Sequence, residues 1–548
     1  MKKLLLVWLF ITAYAISTAQ KIGPVSITYG KEITDDKQKI VRIAGEANGK
    51  IYTLAIKGKK NYIKTFTKDL SPLKTNYIDK KKLKLGKKKI NFEDIFVLNN
   101  HIYVFGSIFD SKAKKLDLYA FPVNEDGVMQ ANKKLISSAK VTKSSERGAY
   151  FFKQSPNDDK LLILHGTLFK KQDLIKYELR LIDDNLNEVM KRIEKVPFKD
   201  RRGLRFRISD FDMDINENIF LVINETYRDR KKKQNIEKLY LHSYKKNNDY
   251  KKEVLEVDVK NKAIMNCEML PTSKGIVHLA GLYSGVSKRG RAKWRLKGTY
   301  SASIDVNANK LNKIVFTPFD YKTKVQLIGK RRAGKDKDVN PFYVTHSLIE
   351  KEDGGIILMS EFQYVQEGKS SGIGPFAVTP IVFNNNEVIV TSFNPDGTVK
   401  WTGVVPKKQR AAYSVVSFNM FFATGNANFA IGVGISLPLG VLGKGPEYLS
   451  VLPIYNNKKL TLIYNDHIKN KGITDMDKIK RMSNFNKSII SILTFDENGK
   501  VSRIDQKKYV KEQLILRPRV FYRRTPVDYI IYASKRKNDK LGELILNE

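Results

Sequence analysis

Short apolar segments recur along the chain, and each is entered through a polar turn of Asn, Asp or Gly. The apolar segments lie at 51–54, 102–106, 161–164, 219–223, 276–281, 356–359 and 460–464. Returning segments such as 116–121, 388–393 and 489–495 run toward a second polar turn. Turn residues that bound β-branched and aromatic runs are typical of β-hairpins, and long runs with helical spacing are hard to find. The pattern therefore predicts an all-β protein.

The first five units follow one another at intervals of roughly 50 to 60 residues, close to the kelch-type repeat. Repeated four-stranded sheets around an axis leave only short, protected edges, which suits a chain of hairpins without covering helices. We predict a β-propeller of seven or eight blades, with Val25–Tyr29 completing the last blade beside 529–533. The alternative is two β-sandwich domains. The prediction rests on spacing, because no blade has a Trp-Asp or double-Gly signature.

The N-terminus has the order of an export signal. Lys2 and Lys3 precede the apolar stretch 4–15, and the small residues Ser17 and Ala19 precede Gln20. We expect residues 1–19 to be a cleaved signal peptide and 20–548 to be a single propeller domain. The apolar stretch is shorter than the roughly 20 residues of a spanning helix, although an uncleaved anchor is the alternative. These features predict an exported protein of the periplasm, of the outer-membrane surroundings or of the cell surface.

Charge changes the picture of what this protein binds. Lys and Arg total 99 against 57 Asp and Glu, a net charge of +42. Such a surface attracts polyanions. The export signal argues against nucleic acid, so the expected partners are envelope proteins, lipopolysaccharide head groups or acidic glycans. The alternative is that the lysines only keep a solvated surface soluble.

Clustered basic residues are the first candidate binding sites. Arg-rich clusters bind phosphate and carboxylate in a two-pronged manner, whereas Lys runs contribute diffuse charge. We therefore select Arg201 and Arg202 in one cluster and Arg289 and Arg291 in another; solvated loops are the alternative. Further basic clusters lie at 80–89, 228–233 and 331–337.

An uncharged run is the second candidate. Residues 411–443 form an apolar, Gly-rich insertion without one charged residue, and it contains the candidate partner-binding residues Phe418, Phe421, Phe422 and Phe429. Pro438 and the glycines argue against a spanning helix. We predict a loop or hairpin that docks to a partner, and a buried core insertion is the alternative.

Three motifs lie between residues 345 and 469, at 346–350 with 353–355, at 392–397 through Trp401 to 406–409, and at 464–466 with 469–470. In these motifs the segment resembles a family of exported, propeller-like proteins of unassigned function from Bacteroidota. The resemblance covers less than a quarter of the chain; it implies an envelope protein and gives no activity. The run 411–443 departs from the family, because it is longer and more apolar than the family's polar equivalent.

No sequence motif identifies a catalytic, metal-binding or cofactor-binding site. The six histidines are scattered singly, and the single cysteine, Cys267, can form neither a Cys-x-x-Cys site nor an intrachain disulfide. We therefore assign no catalytic residue, metal or cofactor, while carboxylate pairs assembled in space stay open. The predicted function is a non-catalytic binding or scaffold protein of the cell envelope, an accessory subunit of an outer-membrane complex. The alternative is a glycan-binding or glycan-active propeller, which clustered carboxylates in the central channel would favour.

Overall fold

Antiparallel strands make up nearly all of the regular structure. The computed structural model describes residues 20–34, 38–79, 84–85, 88–199, 203–229, 231–369, 379–415, 425–426, 429–431 and 445–547. The predicted signal segment, 1–19, lies outside these residues.

Two N-terminal strands precede the first four blades. They are β1 (Gln20–Ile22) and β2 (Val25–Tyr29). Blade 1 consists of β3 (Lys39–Ala47), β4 (Lys50–Lys57), β5 (Lys60–Thr67) and β6 (Pro72–Tyr77), and a small hairpin of β7 (Lys84–Leu85) and β8 (Lys88–Lys89) follows it. Blade 2 consists of β9 (Asn91–Leu98), β10 (His101–Asp110), β11 (Lys115–Val123) and β12 (Lys134–Lys140). Blade 3 consists of β13 (Ala149–Gln154), β14 (Lys160–Phe169), β15 (Leu174–Asp183) and β16 (Glu188–Pro197). Blade 4 consists of β17 (Arg205–Met213), β18 (Ile219–Asp229), β19 (Gln234–Tyr244) and β20 (Lys252–Val257).

The last four blades are less regular. Blade 5 consists of β21 (Ala263–Ile264), β22 (Glu268–Pro271), β23 (Ile276–Val286), β24 (Ala292–Asp305) and β25 (Lys310–Pro318), and the helices α1 (Tyr321–Ile328) and α2 (Lys330–Ala333) follow it. Blade 6 consists of β26 (Tyr343–Glu350), β27 (Ile356–Glu367), β28 (Thr379–Phe393) and β29 (Val399–Val405), followed by β30 (Gln409–Val415), β31 (Gly425–Asn426) and β32 (Phe429–Ile431). Blade 7 consists of β33 (Leu452–Asn456), β34 (Lys459–His467), β35 (Ser488–Phe495) and β36 (Val501–Asp505). Blade 8 contains β37 (Ile515–Arg523), β38 (Asp528–Lys535) and β39 (Asn538–Leu546).

Single turns of 3-10 helix lie in the connections. They are at Ser144–Glu146, Lys170–Gln172, Lys246–Asn248, Pro446–Tyr448, Ile468–Asn470, Met476–Lys478 and Phe485–Lys487. Within the described part of the chain, no helix has both the length and the apolar composition of a membrane span.

Each blade is an antiparallel sheet whose strands pair in chain order. The innermost strands of neighbouring blades contact each other. Strand β3 contacts β9, and β17 contacts β22, which with β21 forms the inner edge of blade 5. The innermost strands therefore surround a central axis. The protein is therefore an all-β, eight-bladed β-propeller. The eight radial sheets exclude the alternative of two sandwiches and settle the blade number that spacing left at seven or eight.

Turn chemistry explains why the strands reverse where they do. Asn48 and Gly49 join β3 to β4, and both have positive φ angles of 50° and 73°. A two-residue hairpin of type I′ requires this conformation at both positions, and Asn-Gly adopts it most readily. Asn99 has the same left-handed backbone in the equivalent turn of blade 2, with φ of 50°. The polar turns that precede the apolar segments of the sequence are thus the first chain reversals of blades 1 to 7.

The hydrophobic core lies between blades. The second strand of a blade is buried on both faces, so β4 reads as a nearly continuous buried run. One cluster joins Tyr52 and Ile63 of blade 1 to Ile95, Val104 and Phe121 of blade 2. Alternate side chains of one sheet therefore pack against the next sheet, and this stabilises the ring.

The N-terminal strand closes the ring. Strand β2 pairs with β39, with Val25 opposite Leu546 and Tyr29 opposite Gly542. It completes the last blade as predicted, but β39 separates it from 529–533, because β38 is already flanked by β37 and β39. Residues from both ends of the chain share one core cluster, in which Val25, Ile27 and Leu544 are fully buried.

Candidate anion-binding face

The topology divides the connections between two faces of the disc. Because strands alternate in direction, the tips between second and third strands share one face with the connections between blades. We call this the basic face. The turns between first and second strands, and between third and fourth strands, lie on the opposite face, which we call the turn face. The hydrogen-bonding order of every blade sets this division.

Exposed cations form clusters on the basic face. The hairpin tips carry Lys112 and Lys114 in blade 2, Lys231, Lys232 and Lys233 in blade 4, Lys288, Arg289 and Arg291 in blade 5, and Arg536 and Lys537 in blade 8, all exposed. The connection from blade 5 to blade 6 adds the exposed cations Lys322, Lys330, Arg331, Arg332, Lys335 and Lys337. This connection also contains three aspartates and the buried Lys324. One side of the disc therefore presents a broad positive surface.

The turn face uses its charges differently. Its turns are rich in Asn, Asp and Gly, and their carboxylates receive lysines from neighbouring blades. The Nζ atom of Lys160 lies 3.3 Å from Glu217, and that of Lys400 lies 3.1 Å from Glu497. The carboxylates of this face thus join blades, whereas the cations of the basic face project into solvent.

Two of the arginines selected from the sequence, Arg289 and Arg291, lie at an exposed tip of the basic face. The backbone N–H of Asn235 donates to the carbonyl of Arg289 at 2.9 Å, so the tips of blades 4 and 5 touch. Gly290 makes this contact possible, because a Cβ atom there would lie 2.0 Å from the carbonyl oxygen of Asn235. Arg201 and Arg202 lie outside the described residues, in the sequence between β16 and β17.

A cavity brings together two basic clusters that are separate in sequence. Its volume is about 730 Å³, and its lining residues are Arg295, Arg331, Arg332, Lys335, Lys337 and Asp338. Arg295 comes from β24, whereas the others come from α2 and the segment after it. Sequence spacing could identify each cluster but not their meeting. We call this cavity the basic pocket.

The uncharged run begins in a sheet and extends toward the central axis. Strand β30 pairs with the extended part of β28, and Ala411 is buried. Strand β32 runs parallel to β17, with Phe429 opposite Phe206 and Ile431 opposite Ile208. The backbone of this part therefore lines the inner strand of blade 4. Phe418, Phe421 and Phe422 lie outside the described residues.

A buried polar network that the sequence did not reveal joins blades 6, 7 and 8 near the axis. Glu361 on β27 and Lys407 are both fully buried, with the Nζ atom 2.9 Å from Oε1. Arg519 and Ser450 also donate to the Glu361 carboxylate, at 3.3 and 2.8 Å. Although burial opposes it, the cations lower the pKa of Glu361 to about 2. The carboxylate is therefore ionised and is the centre of the network.

This network does not have the geometry of a nucleophilic triad. His346 Nε2 lies 3.1 Å from the hydroxyl of Ser450, but that hydroxyl donates to Glu361. In a triad the acid orients the histidine through its other nitrogen, and His346 Nδ1 has no hydrogen-bond partner. Ser450 is also fully buried. The arrangement is structural.

A second group of charged side chains, which are half-buried, lies on the inner strands of blades 3 to 5. Asp210 and Glu268 hydrogen-bond to each other, and Asp212 is 3.1 Å from the Nζ atom of Lys153. Burial and the neighbouring Asp210 raise the pKa of Glu268 well above its usual range. The pair therefore shares a proton. Glycosidases of the two-carboxylate type separate these groups by about 5 Å or more to admit a sugar or a water, so this pair does not match that geometry.

Because of the shared proton, the stability of the protein should depend on pH. A raised folded-state pKa means that the contribution of Glu268 to stability is complete below its unfolded pKa and is lost as pH rises through the folded pKa. Glu268→Gln keeps a donor toward Asp210 without a titrating proton. We expect this variant to be more stable than the wild type at pH 8, by about 1 kcal/mol, and to have no advantage at pH 4.5. Denaturant unfolding at the two pH values measures this.

The exposed carboxylate of Glu256, paired with Lys238 at 2.6 Å, provides the control. Glu256→Gln should be no more stable than the wild type at pH 8. A Glu268→Gln variant with the same stability difference at both pH values would contradict the shared proton.

The part of the chain that the structure describes contains no candidate metal site. It contains no group of three or more His, Cys, Asp or Glu side chains that could hold a metal ion. His165 Nε2–H donates to the Arg147 carbonyl, 2.8 Å away, and His242 Nδ1 lies 3.1 Å from the Tyr177 hydroxyl. Burial lowers the pKa of His242 to about 3, so this ring is neutral.

Comparisons with known proteins give structural neighbours only. No protein-family model matches the chain, and no curated protein matches it. The WD40 domain of SCAP from fission yeast is similar with a TM-score of 0.37 and 10% identity, over 96% of this chain and 95% of that one. The β-propeller domain of the Trilobed protease from Pyrococcus furiosus has a TM-score of 0.31 and 10% identity, over 65% of this chain and 94% of that one. The endo-arabinase from Bacteroides thetaiotaomicron has a TM-score of 0.25 and 10% identity, over 54% and 98%. At these scores the eight-bladed architecture rests on the strand pairing of the chain itself.

Proposed function

We propose that this protein is a non-catalytic binding protein of the cell envelope that holds an anionic partner against its basic face. The partner we propose is an envelope protein within an outer-membrane complex, to which this chain is an accessory subunit. The observation that supports the proposal is an inequality between the two faces. Exposed cations cluster on the basic face, whereas carboxylates of the turn face bind lysines of neighbouring blades.

That inequality favours binding over mere solubility. Lysines that only keep a surface soluble would be interspersed with carboxylates on both faces, as they are on the turn face. The touching tips of blades 4 and 5 instead place Lys231, Lys232 and Lys233 next to Lys288 and Arg289. Bringing like charges together costs free energy unless an anion is bound between them. The arrangement therefore supports a ligand of negative charge.

Neutralising the tip of blade 4 tests the proposal. We expect the triple variant Lys231→Ala, Lys232→Ala and Lys233→Ala to bind immobilised heparin about ten-fold more weakly, taking about 0.5 kcal/mol for each exposed charge. Binding of the wild type should also fall steeply between low salt and about 0.5 M salt, because exposed charges are screened. Elution salt and equilibrium binding measure both effects.

A control of equal charge comes from the turn face. The exposed residues Lys68, Lys251 and Lys274 lie in its turns. Their triple alanine variant loses the same three charges and should bind heparin within about two-fold of the wild type. Equal losses in the two variants would mean that only net charge matters, and the proposal would fail.

The glycan alternative makes a different prediction. A glycan-binding propeller should retain a neutral oligosaccharide and be insensitive to salt, whereas the basic face should retain only anionic ligands. The Asp210 and Glu268 carboxyls hydrogen-bond to each other, so they lack the separation that glycan hydrolysis requires. Salt-resistant retention of neutral glycans would replace the proposed function with this alternative.

A further inference from the structure

Exposed aromatic residues, which we call the aromatic rim, lie in the chain segments that form the basic pocket and in the neighbouring strand β27. Among the aromatic side chains that the structure describes, five are strongly exposed, and four of these lie at the junction of blades 5 and 6. The four are Trp294, Tyr321, Phe342 and Tyr364, with exposed fractions of 58, 60, 42 and 37%. Only Tyr77 lies elsewhere. Exposed apolar groups concentrated in one place mark an interaction site.

Trp294 is held in an unfavourable backbone conformation. It lies in the part of β24 where the register with β23 shifts, and its φ angle is +55°. A bulky residue rarely adopts this left-handed region, which costs of order 1 kcal/mol. The strand therefore presents an exposed indole directly beside Arg295, which lines the basic pocket.

The walls of the pocket are anchored to the core. Val339 is fully buried and forms two backbone hydrogen bonds with Leu296, at 2.9 and 3.0 Å. Ala333 is buried at the end of α2, and the backbone N–H of Lys337 returns to the carbonyl of Arg332 at 3.1 Å. The segment that carries the cations is therefore fixed before any ligand arrives.

The pocket has an excess of positive charge. Five exposed cations line it, and Asp338 is the single carboxylate among its lining residues. Asp336, which lies in the same segment, is bound by Lys324 at 2.6 Å. No described carboxylate forms an ion pair with Arg331, Arg332, Lys335 or Lys337. An anion of small size would satisfy them, and Arg favours phosphate through paired N–H donors.

We propose that the junction of blades 5 and 6 docks on an anionic lipid surface, with a headgroup phosphate in the basic pocket and Trp294 and Phe342 in the interfacial layer. This inference rests on the proposed function, since the pocket belongs to the basic face, and it adds an anionic lipid surface as a second ligand beside the protein partner. Aromatic rings prefer the headgroup region of a bilayer, and basic residues are attracted to its anionic lipids. A soluble polyanion would use the cations but not the aromatic rim.

Vesicle binding by two charge-matched variants tests the pocket. The probe is phosphatidylcholine with about 30 mol% phosphatidylglycerol, compared with phosphatidylcholine alone, in about 0.1 M salt. Arg331→Ala with Arg332→Ala should reduce binding by about 10- to 30-fold, from about 1 kcal/mol for each cation at the surface. Lys231→Ala with Lys232→Ala removes the same charge outside the pocket and should reduce binding by less than about three-fold.

Fluorescence tests the aromatic rim. The chain has three tryptophans, Trp8, Trp294 and Trp401. The variant Trp8→Phe with Trp401→Phe leaves Trp294 as the only reporter. Its emission should shift to shorter wavelength on addition of the anionic vesicles, and lipids brominated near the headgroup should quench it.

Each outcome decides between the two proposals. Equal losses in the two double variants, or an unshifted Trp294 emission with vesicles bound, would overturn the docking site and leave the basic face intact. A wild type that binds heparin but no vesicles would also overturn the lipid inference alone. A wild type that binds neither would overturn both.

Discussion

Replacing Lys407 by methionine is expected to destabilise the protein by about 3 to 5 kcal/mol. Lys407 and Glu361 have no exposed surface, and the Lys407 ammonium also donates to the Asn385 carbonyl at 3.0 Å and to Gln409 at 3.1 Å. The variant leaves the Glu361 carboxylate buried with only the partly exposed Arg519 as a cationic partner. An uncompensated buried charge is among the largest single costs in a folded protein. Denaturant unfolding followed by circular dichroism measures the loss.

A double variant separates charge from packing. Glu361→Gln combined with Lys407→Met removes both charges and should recover part of the loss. Lys408→Met is the neighbouring control, and since the side chain of Lys408 only donates to the Met476 carbonyl at 3.0 Å, it should cost about 1 kcal/mol. A Lys407→Met variant no less stable than Lys408→Met would contradict the role of the buried pair.

The pair also predicts acid sensitivity. The pKa of Glu361 is lowered to about 2, so its contribution to stability is present above the unfolded pKa of 4.5 and is lost as pH falls toward 2. The difference between the wild type and the Lys407→Met variant should therefore shrink below pH 4.

Truncating Ile27 is expected to destabilise the closure by about 2 to 4 kcal/mol. Ile27 is fully buried among Leu544 of blade 8 and Ile463 of blade 7. Ile27→Ala removes this packing and leaves a cavity where the N-terminal strand holds the last blade. Thermal unfolding measures the total loss, and hydrogen exchange should show the loss of protection first in β39.

Thr28 provides the matched control, since it is the adjacent residue on the other face of β2 and is only half-buried. Thr28→Ala should cost less than about 1 kcal/mol. Uniform loss of protection across all blades in Ile27→Ala, without an early loss in β39, would show that the closure is not a separate weak point.

Much of the fold was predictable because each blade repeats the same local pattern. The apolar segments found in the sequence are the second strands of blades 1 to 7, and they are apolar because neighbouring sheets bury both faces. Blade number was ambiguous because the later connections are long. The helices α1 and α2 separate blade 5 from blade 6, and the uncharged run separates blade 6 from blade 7.

The site was predictable only in part. Clusters of Lys and Arg are visible in any sequence, but their assignment to one face requires the strand order, and the meeting of Arg295 with Arg331 requires the packing of two segments. The pair of Glu361 and Lys407 left no local signal, because its members are 46 positions apart and Lys407 stands in the sequence beside another lysine, Lys408. The docking role of Phe418, Phe421, Phe422 and Phe429 stays a prediction.

The closure of the ring has a consequence for the order of folding. Pro24 and Asn547, which hydrogen-bond in the closure, are 523 positions apart, so β2 is synthesised long before its partner β39. Until β39 arrives, the apolar strand β2 can pair only with the short β1 and its other edge stays open, and such edges promote aggregation. Contacts between distant positions also slow folding. A chain of this topology therefore depends on protection of β1 and β2 until β39 is available, and we expect folding intermediates with seven closed blades and a free pair of N-terminal strands.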